Sequence, residues 1–290
     1  MWIIIACIII NAFIGVIFKF FTKYKIDNLQ AIIVNYFVCV VTGAIVNGGS
    51  PIPPQLSQQN WFPYALFLGV VFIIVFNLMA LTVQYFGIMI STVFQKMSMI
   101  APTLLAILWY HEAGGWMKWV GIILACLSIL LLSYQRSEQS TLSRQRLYIL
   151  FPILTFLGSC IIDSTLYYIE KEGYVTEGNM GFVSTLFLFA GISGLLIFIL
   201  QSFKTKPNIQ WKNILGGIAL GIPNFFSIYL LLLALQQGFD GSVVFPINNI
   251  GILVTATILG IIIFHERMTK PKLIGFGFAV LAIILIAFTS

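Results

Sequence analysis

Charged residues are scarce in this sequence: Asp, Glu, Lys and Arg together make up 8% of its 290 residues. A soluble domain carries roughly a quarter charged residues. Hydrophobic residues make up 60% of the chain, more than a single globule can hide from water. The composition therefore excludes a soluble domain and indicates an integral membrane protein.

The hallmarks of several other protein classes are also missing. The sequence has no HExxH, GxSxG or P-loop motif and no soluble segment that could hold an ATPase, so we expect neither an enzyme nor an ATP-driven pump. The net charge is +6, but the basic residues occur singly in short loops, which argues against nucleic-acid binding. The cysteines form no CxxC pair and lie in apolar runs, so we predict small core residues and neither a metal nor a cofactor. They are Cys7, Cys39, Cys126 and Cys160.

Long apolar runs are what the sequence does contain. Runs of about twenty residues cross a hydrocarbon core roughly 30 Å thick, and they predict an all-α protein with ten transmembrane helices. All six tryptophans lie at or near the ends of these runs, where their rings suit the headgroup layer. The predicted spans are residues 2–21, 29–47, 62–83, 88–110, 115–134, 147–169, 180–201, 212–236, 242–264 and 272–289.

One residue pattern occurs twice, at a constant offset of 154 residues. The first copy comprises Ala80-Leu81, Gly87, Thr103, His111-Glu112, Lys118, Gly121 and Ala125, and the second comprises Ala234-Leu235, Gly241, Thr257, His265-Glu266, Lys272, Gly275 and Ala279. We therefore predict a first five-helix repeat at 1–134, a polar cytoplasmic linker at 135–146 and a second repeat at 147–290. Because five spans is an odd number, the second repeat is expected to be inverted, a construction typical of secondary transporters.

The basic residues predict the orientation. Twelve of them fall in alternate connections on one side, and two, Lys118 and Lys171, fall on the other. The twelve are Lys19, Lys23, Lys25, Arg136, Arg144, Arg146, Lys204, Lys206, Lys212, Arg267, Lys270 and Lys272. By the positive-inside rule, both termini are expected outside a cell (inner) membrane and the linker in the cytoplasm.

The duplicated motifs resemble those of the drug/metabolite transporter superfamily, in particular its EamA-type ten-helix members. Each copy has Ala-Leu near the end of the third helix, an acidic residue closing the fourth, and a glycine about nine residues later. The chain departs from the family in having His-Glu where relatives usually have Gly-Glu, and in its proline spacing. The resemblance covers nearly the whole chain and implies the ten-helix fold and transport of metabolites.

Polar side chains inside the spans are the candidate site, because in lipid each needs a partner, a cavity or a route to the interface. Lys96 lies about 12 Å into the fourth span at 1.5 Å per residue. Its ammonium either snorkels to the interface or faces a central cavity and binds an anionic group of the substrate. Ser91, Gln95, Ser98 and Pro102 form a polar stripe beside it.

Amides on other spans are further candidates for substrate contact. Gln95 has Asn249 as its duplicate, preceded by Asn248, and these amides either face one cavity or form interhelical hydrogen bonds. Asn224 follows Pro223, where a freed carbonyl can bind a ligand. Second-rank candidates, each alone more typical of packing, are Asn11, Asn35, Asn77, Gln84, Ser227, Tyr167, Tyr168 and Tyr229. Gly216, Gly217 and Gly221 are predicted to allow close helix approach.

Asp163 is the carboxylate deepest within a span. It is interpreted as a proton or cation site, as the counter-ion of Lys96, or as a locally hydrogen-bonded or protonated carboxyl. Counting residues separates the two charges by about 10 Å along the membrane normal, which disfavours a direct pair unless a helix is broken. The His-Glu pairs are interpreted as caps that anchor a turn, or as a gating or proton site.

Together these features predict a secondary transporter of a small polar metabolite that works by alternating access. One buried cation and one buried carboxylate suit an amino-acid-like zwitterion or a related metabolite. Export and proton coupling at Asp163 are hypotheses. The expected partners are the substrate and the bilayer, and the chain is expected to be a monomer or a homodimer. The alternatives are a membrane enzyme acting on a lipid-linked substrate and a structural membrane subunit.

Overall fold

The computed structural model describes residues 2–111, 115–133, 148–175, 179–203, 208–236 and 241–287. Throughout these ranges the regular elements are helices, with no strand. Eight helices are long and apolar enough to cross a bilayer, and a shorter apolar helix covers Trp116–Leu132. The described chain is thus the all-helical multi-pass membrane protein that its composition predicts.

The helices lie within three residues of the predicted spans, except that the fourth span is divided in two. They are α1 (Trp2–Tyr24), α2 (Asn28–Val46), α3 (Phe62–Phe86), α4 (Ile88–Lys96), α5 (Ile100–Leu108), α6 (Trp116–Ser133), α7 (Leu150–Lys171), α8 (Met180–Ser202), α9 (Trp211–Gln236), α10 (Gly241–Phe264) and α11 (Lys270–Ala287).

A 3₁₀ turn at Met97–Met99 separates α4 from α5. Its cause is Pro102, which has no N–H for the carbonyl of Ser98 and whose ring crowds that carbonyl. The turn tightens there, and the N–H of Ile100 bonds to the carbonyls of Met97 and Ser98 instead. The fourth predicted span is thus interrupted by this turn, whereas its duplicate α10 is continuous.

Glycines bring α2 and α9 into close contact, as the sequence predicted for this face. A Cβ on Gly217 would lie 2.5 Å from Cβ of Val34, and one on Gly221 would lie 2.7 Å from Cβ of Val38. The two backbones therefore approach more closely than larger side chains permit. This contact positions the polar groups that the two helices carry.

The last helices of the two repeats, α6 and α11, pack in opposite directions with reciprocal contacts. A Cβ on Gly121 would lie 2.7 Å from Cγ1 of Ile286, and one on its duplicate Gly275 would lie 2.9 Å from Cγ of Leu132. Leu132 and Ile286 are themselves 154 residues apart, so the two contacts are equivalent under the duplication. His111 and His265 likewise share a left-handed backbone, with φ of 54° and 52°.

Trp61 directly precedes α3 and is buried, and its ring meets Phe182 edge-on. One expectation, that all four cysteines are core residues, needs correction. Cys126 is exposed on α6 and Cys160 is half-buried, so only Cys7 and Cys39 are core residues.

The predicted linker at 135–146, with Arg136, Arg144 and Arg146, lies outside the described residues.

Candidate functional site

A cavity of about 160 Å³ lies within the bundle, where α1, α3, α4, α9 and α10 meet. Its wall combines polar and apolar side chains, and none of the lining residues carries a charge. The polar members are Asn11, Ser91, Thr92, Gln95, Asn224 and Ser227. Two predicted site residues, Gln95 and Asn224, thus line one cavity, as do two second-rank candidates, Asn11 and Ser227.

On the α9 side, a hydrogen-bond relay orients Asn224. The Nδ2 of Asn35 donates to the carbonyl of Ile32 at 3.5 Å, so its Oδ1 is left to accept. That oxygen accepts a hydrogen bond from Nδ2 of Asn224 at 3.1 Å, and Asn224 Nδ2 also reaches Sγ of Cys39 at 3.6 Å. The relay directs Oδ1 of Asn224 away from α2, and Asn224 is a lining residue of the cavity.

On the α1 side, Asn11 is oriented by its own helix. Its Nδ2 donates to the carbonyl of Cys7 at 3.1 Å and lies 3.5 Å from Sγ of Cys7. Because a carbonyl can only accept, the nitrogen must face Cys7. The Cys7 thiol donates in turn to the backbone carbonyl of Ser227 at 3.2 Å, which joins α1 to α9 at the cavity wall.

A charged cluster lies next to Gln95, at the 3₁₀ turn. The hydroxyl of Ser98 contacts both the backbone carbonyl of Gln95 and Oδ2 of Asp163 on α7. Lys96, the last residue of α4, is half-buried and lies in electrostatic range of Asp163 and Cys7. The tightened turn thus brings together three predicted site residues, Lys96, Ser98 and Asp163, although Lys96 and Asp163 form no ion pair within 4.0 Å in the described chain.

When Asp163 is ionised, the two contacts of Ser98 share one hydroxyl hydrogen. A serine hydroxyl has a single hydrogen, whereas the Gln95 carbonyl and an ionised Asp163 can only accept. Both contacts become hydrogen bonds when Asp163 is protonated and donates to Oγ of Ser98. Ser98 therefore links Asp163 on α7 to the backbone of α4, next to Lys96.

At the end of the bundle that carries Lys19, a contact joins the two halves of the chain. Oε1 of Glu266, in the turn after α10, accepts a hydrogen bond from the backbone N–H of Ile88 at 2.8 Å. Nζ of Lys19 lies 3.8 Å from the same oxygen and donates to the carbonyl of Val83 at 3.2 Å. We call Lys19, Val83, Ile88 and Glu266 the clasp.

Glycine makes the clasp contact feasible, because Gly87 at the start of α4 has φ of 94° and a Cβ there would lie 2.6 Å from Oε1 of Glu266. Glu266 therefore does cap a helix end, but that of α4 rather than its own turn. Its duplicate Glu112 lies outside the described residues. Val83 also lines the cavity, and Lys19 is one helical turn from the lining residue Gly15, so the clasp adjoins the cavity directly.

The remaining predicted residues lie apart from the cavity wall. Asn249 is half-buried on α10, one turn before the lining residue Ile252. Asn248 is buried, and within the described chain its Oδ1 has no hydrogen-bond partner. Neither reaches the lining that Gln95 helps to form, so the expected pairing of duplicate amides across one cavity is not seen.

A larger groove of about 340 Å³ opens at the surface, where α2 and α9 begin and α8 ends. Its polar groups largely bond to one another. Nδ2 of Asn213 donates to Oε1 of Gln30 at 2.8 Å, and the backbone N–H of Asp27 donates to Oδ1 of Asn213 at 3.0 Å. Because the smaller cavity is lined by five helices and keeps unused polar atoms, it is the stronger candidate site.

Comparisons with known proteins extend over both halves of the chain. A family model described as the EamA-like transporter family matches residues 1–134 and 150–288. An "Uncharacterized protein" from Haemophilus influenzae (strain ATCC 51907 / DSM 11121 / KW20 / Rd) is 30% identical over 289 residues, which covers 97% of this chain and 95% of that protein.

Proposed function

We propose that this chain, which belongs to the EamA-like transporter family, is a secondary transporter of a small polar metabolite. Members of this family are membrane transporters, and the sequence has no ATP-binding motif. The observation that carries the proposal is the polar cavity of about 160 Å³ at the meeting point of α1, α3, α4, α9 and α10. A polar site inside a bundle allows a hydrophilic solute to cross the bilayer without meeting lipid.

The proposed architecture is ten spans in two inverted repeats. It counts α4 and α5 as one interrupted span and includes the short helices α6 and α11. The reciprocal contacts of Gly121 with Ile286 and of Gly275 with Leu132 support inversion, because equivalent contacts between antiparallel helices are what a two-fold axis in the membrane plane generates. In this arrangement both termini are external and the end with Lys19 faces the cytoplasm of a cell (inner) membrane.

The proposed mechanism is alternating access by rocking of one repeat against the other. The clasp joins Lys19, Val83 and Ile88 of the first repeat to Glu266 of the second, so it must part when the cytoplasmic side opens. Its separation exchanges one charged cap and one ion pair for hydration, a cost small enough for a transport cycle.

The proposed substrate is an amino-acid-like zwitterion, carried outward. Lys96 would bind its anionic group, and the uncharged polar cavity beside Gln95 would receive the remainder. Two different polar surroundings next to each other suit a molecule that carries two different polar groups. A purely hydrophobic cation finds no carboxylate in this lining.

Coupling to protons at Asp163 completes the proposal. The titratable groups in electrostatic range of Asp163 among the described residues are Lys96 and Cys160. In one state Asp163 is ionised near the Lys96 ammonium. In the other it is protonated and donates to Oγ of Ser98, which releases Lys96 to a substrate carboxylate.

The test begins with purified protein and a library of metabolites. A ligand that binds only the folded protein raises its melting temperature, and the stabilising compounds are then assayed for counterflow in proteoliposomes. We expect amino acids among the stabilising compounds, and we expect Lys96→Gln to abolish their binding and counterflow while membrane insertion stays normal. Lys23→Gln, at an exposed lysine outside the cavity, is the control and should behave as wild type. Unchanged affinity in Lys96→Gln would contradict the proposed role of the ammonium.

A further inference from the structure

The polar groups of the cavity are unequal in hydrogen-bonding capacity. Five of its six polar side chains donate their hydrogen bonds to other parts of the protein. Ser91 donates to the carbonyl of Met79 at 3.4 Å, Thr92 to that of Ile88 at 2.9 Å and Ser227 to that of Asn224 at 2.8 Å.

The two asparagines of the lining are committed in the same way. Nδ2 of Asn11 is held by Cys7, and Nδ2 of Asn224 is held by Asn35 and Cys39. Each side-chain amide retains an oxygen with two lone pairs. Among the described residues, nothing donates to either Oδ1.

The unused polar atoms of the lining are therefore mainly hydrogen-bond acceptors. The side-chain oxygens of Asn11, Ser91, Thr92, Asn224 and Ser227 remain available, and only the amide of Gln95 still has free N–H groups. A bound ligand that donates hydrogens can therefore pair with oxygens that the protein leaves unused.

We infer that this cavity is the subsite for a primary ammonium group, with Oδ1 of Asn11 and Oδ1 of Asn224 as its specificity-determining acceptors. A primary ammonium has three N–H donors and a positive charge, and hydrogen bonds to a charged group are stronger than neutral ones. Phe72 and Phe76 also line the cavity, and a cation is attracted to aromatic rings. The apolar part of the wall suits the carbon next to the nitrogen better than it suits a bare metal cation, which prefers oxygen on all sides.

The volume of the cavity suits a single functional group of a ligand rather than a whole ligand. Ligand pockets commonly measure about 300 to 1,000 Å³, and this one measures about 160 Å³. Gln95, the residue before Lys96 in the chain, lines the cavity, so the ammonium subsite is adjacent to Lys96. This inference rests on the proposed transport of a zwitterion and orients that substrate, with its ammonium in the cavity and its carboxylate at Lys96.

The test uses the purified full-length protein and simple probes. Methylammonium chloride replaces tetramethylammonium chloride through the millimolar range at constant total salt. In a parallel series, sodium chloride is used in place of methylammonium chloride. Binding is followed by melting temperature and calorimetry. Methylammonium should stabilise the protein, whereas tetramethylammonium, which has the charge without N–H donors, and sodium should not.

Two substitutions at one position isolate the acceptor oxygen. Asn11→Leu and Asn11→Asp both remove the hydrogen bond to Cys7, so they share the loss of that contact. Asn11→Leu also removes the cavity oxygen and should weaken methylammonium binding at least about tenfold, whereas Asn11→Asp leaves a carboxylate there and should strengthen it. Asn77→Leu removes an amide that bonds to the carbonyl of Ile73 outside the cavity, and it should leave binding unchanged.

Equal binding of methylammonium and tetramethylammonium, equal stabilisation by sodium, or parallel effects of Asn11→Leu and Asn11→Asp would each overturn the inference. Counterflow in the same preparations separates this result from the proposed function. Amino-acid counterflow without methylammonium selectivity keeps the transporter and removes the subsite. Selectivity without counterflow of any amino acid keeps the subsite and removes the proposed amino-acid transport.

Discussion

Glu266→Gln is expected to open the cavity toward the end of the bundle that carries Lys19. The substitution keeps the size of the side chain and an oxygen that can accept a hydrogen bond from the N–H of Ile88. In the native protein that bond joins Ile88 N and Oε1 of Glu266 at 2.8 Å. It removes the negative charge that faces both the N-terminus of α4 and the ammonium of Lys19. The clasp is thereby weakened without leaving a hole.

The size of the effect follows from two contributions. A carboxylate at a helix N-terminus contributes about 0.3 to 1 kcal/mol when exposed and up to about 2 kcal/mol when partly buried. The Glu266 and Lys19 side chains are 15% and 24% exposed, so the first contribution belongs to the upper part of that range. The ion pair at 3.8 Å adds less than about 1 kcal/mol because water screens it. A combined loss of about 1 to 2 kcal/mol changes the ratio of closed to open protein about 5- to 30-fold.

Thiol labelling measures this ratio. Thr92→Cys is introduced at the cavity wall, in a background where the four native cysteines are replaced by alanine, and its reaction rate with a membrane-impermeant maleimide is recorded. We expect Glu266→Gln to raise that rate about 5- to 30-fold. The matched control is Asp27→Asn, which weakens a charged cap at the same end but within one repeat, because Oδ1 of Asp27 accepts from the N–H of Gln30 at 2.9 Å.

Two results would refute the reasoning. An unchanged labelling rate, accompanied by a lower melting temperature, would make Glu266 a structural cap and nothing more. An equal rise in Asp27→Asn would mean that any loosening at this end exposes the cavity, so that the contact between repeats has no special role.

Three further predictions concern the interior. Asp163→Asn should remove the pH dependence of counterflow, whereas Asp27→Asn should retain it; a full pH profile in Asp163→Asn would end the proton-coupling proposal. Gly221→Ala should cost about 1 to 3 kcal/mol of stability in thermal unfolding, since its Cβ would lie 2.7 Å from Cβ of Val38, whereas Gly277→Ala, with nothing within 4 Å, should be neutral. Asn35→Leu should lower substrate affinity although Asn35 does not line the cavity, because Asn224 loses the acceptor that orients it; unchanged affinity in ligand titrations would show that Asn224 needs no such orientation.

Candidate site residues were easier to find from the sequence than their arrangement. Gln95, Ser98 and Asp163 stood out because polar side chains are expensive within apolar spans, and the structure groups Ser98 with Asp163 beside the backbone of Gln95. Asn11 and Ser227 ranked low because a single amide or hydroxyl in a span is more often a packing residue. Their place at the cavity wall depends on which helices meet there, and no local signal in the sequence carries that information.

The clasp illustrates the same division. The His-Glu pair was recognisable as a helix-terminal feature, and the left-handed His265 supports that interpretation. Its partner was not recognisable, because Glu266 caps a helix that begins 178 residues earlier in the chain. Capping partners are local in most helices, so sequence reasoning assigned the carboxylate to its own turn.

The sequence by itself determined the solvent, the helices and the duplication, because hydropathy, span length and a constant repeat offset are properties of neighbouring residues along the chain. Tertiary structure decided the 3₁₀ turn that brings Ser98 to Asp163, the clasp of Glu266 on α4, and the orientation of the amides around the cavity. The physical reason is that a hydrogen-bonding group in a bilayer protein chooses its partner from the helices packed beside it, and those neighbours are set by the fold rather than by the local sequence.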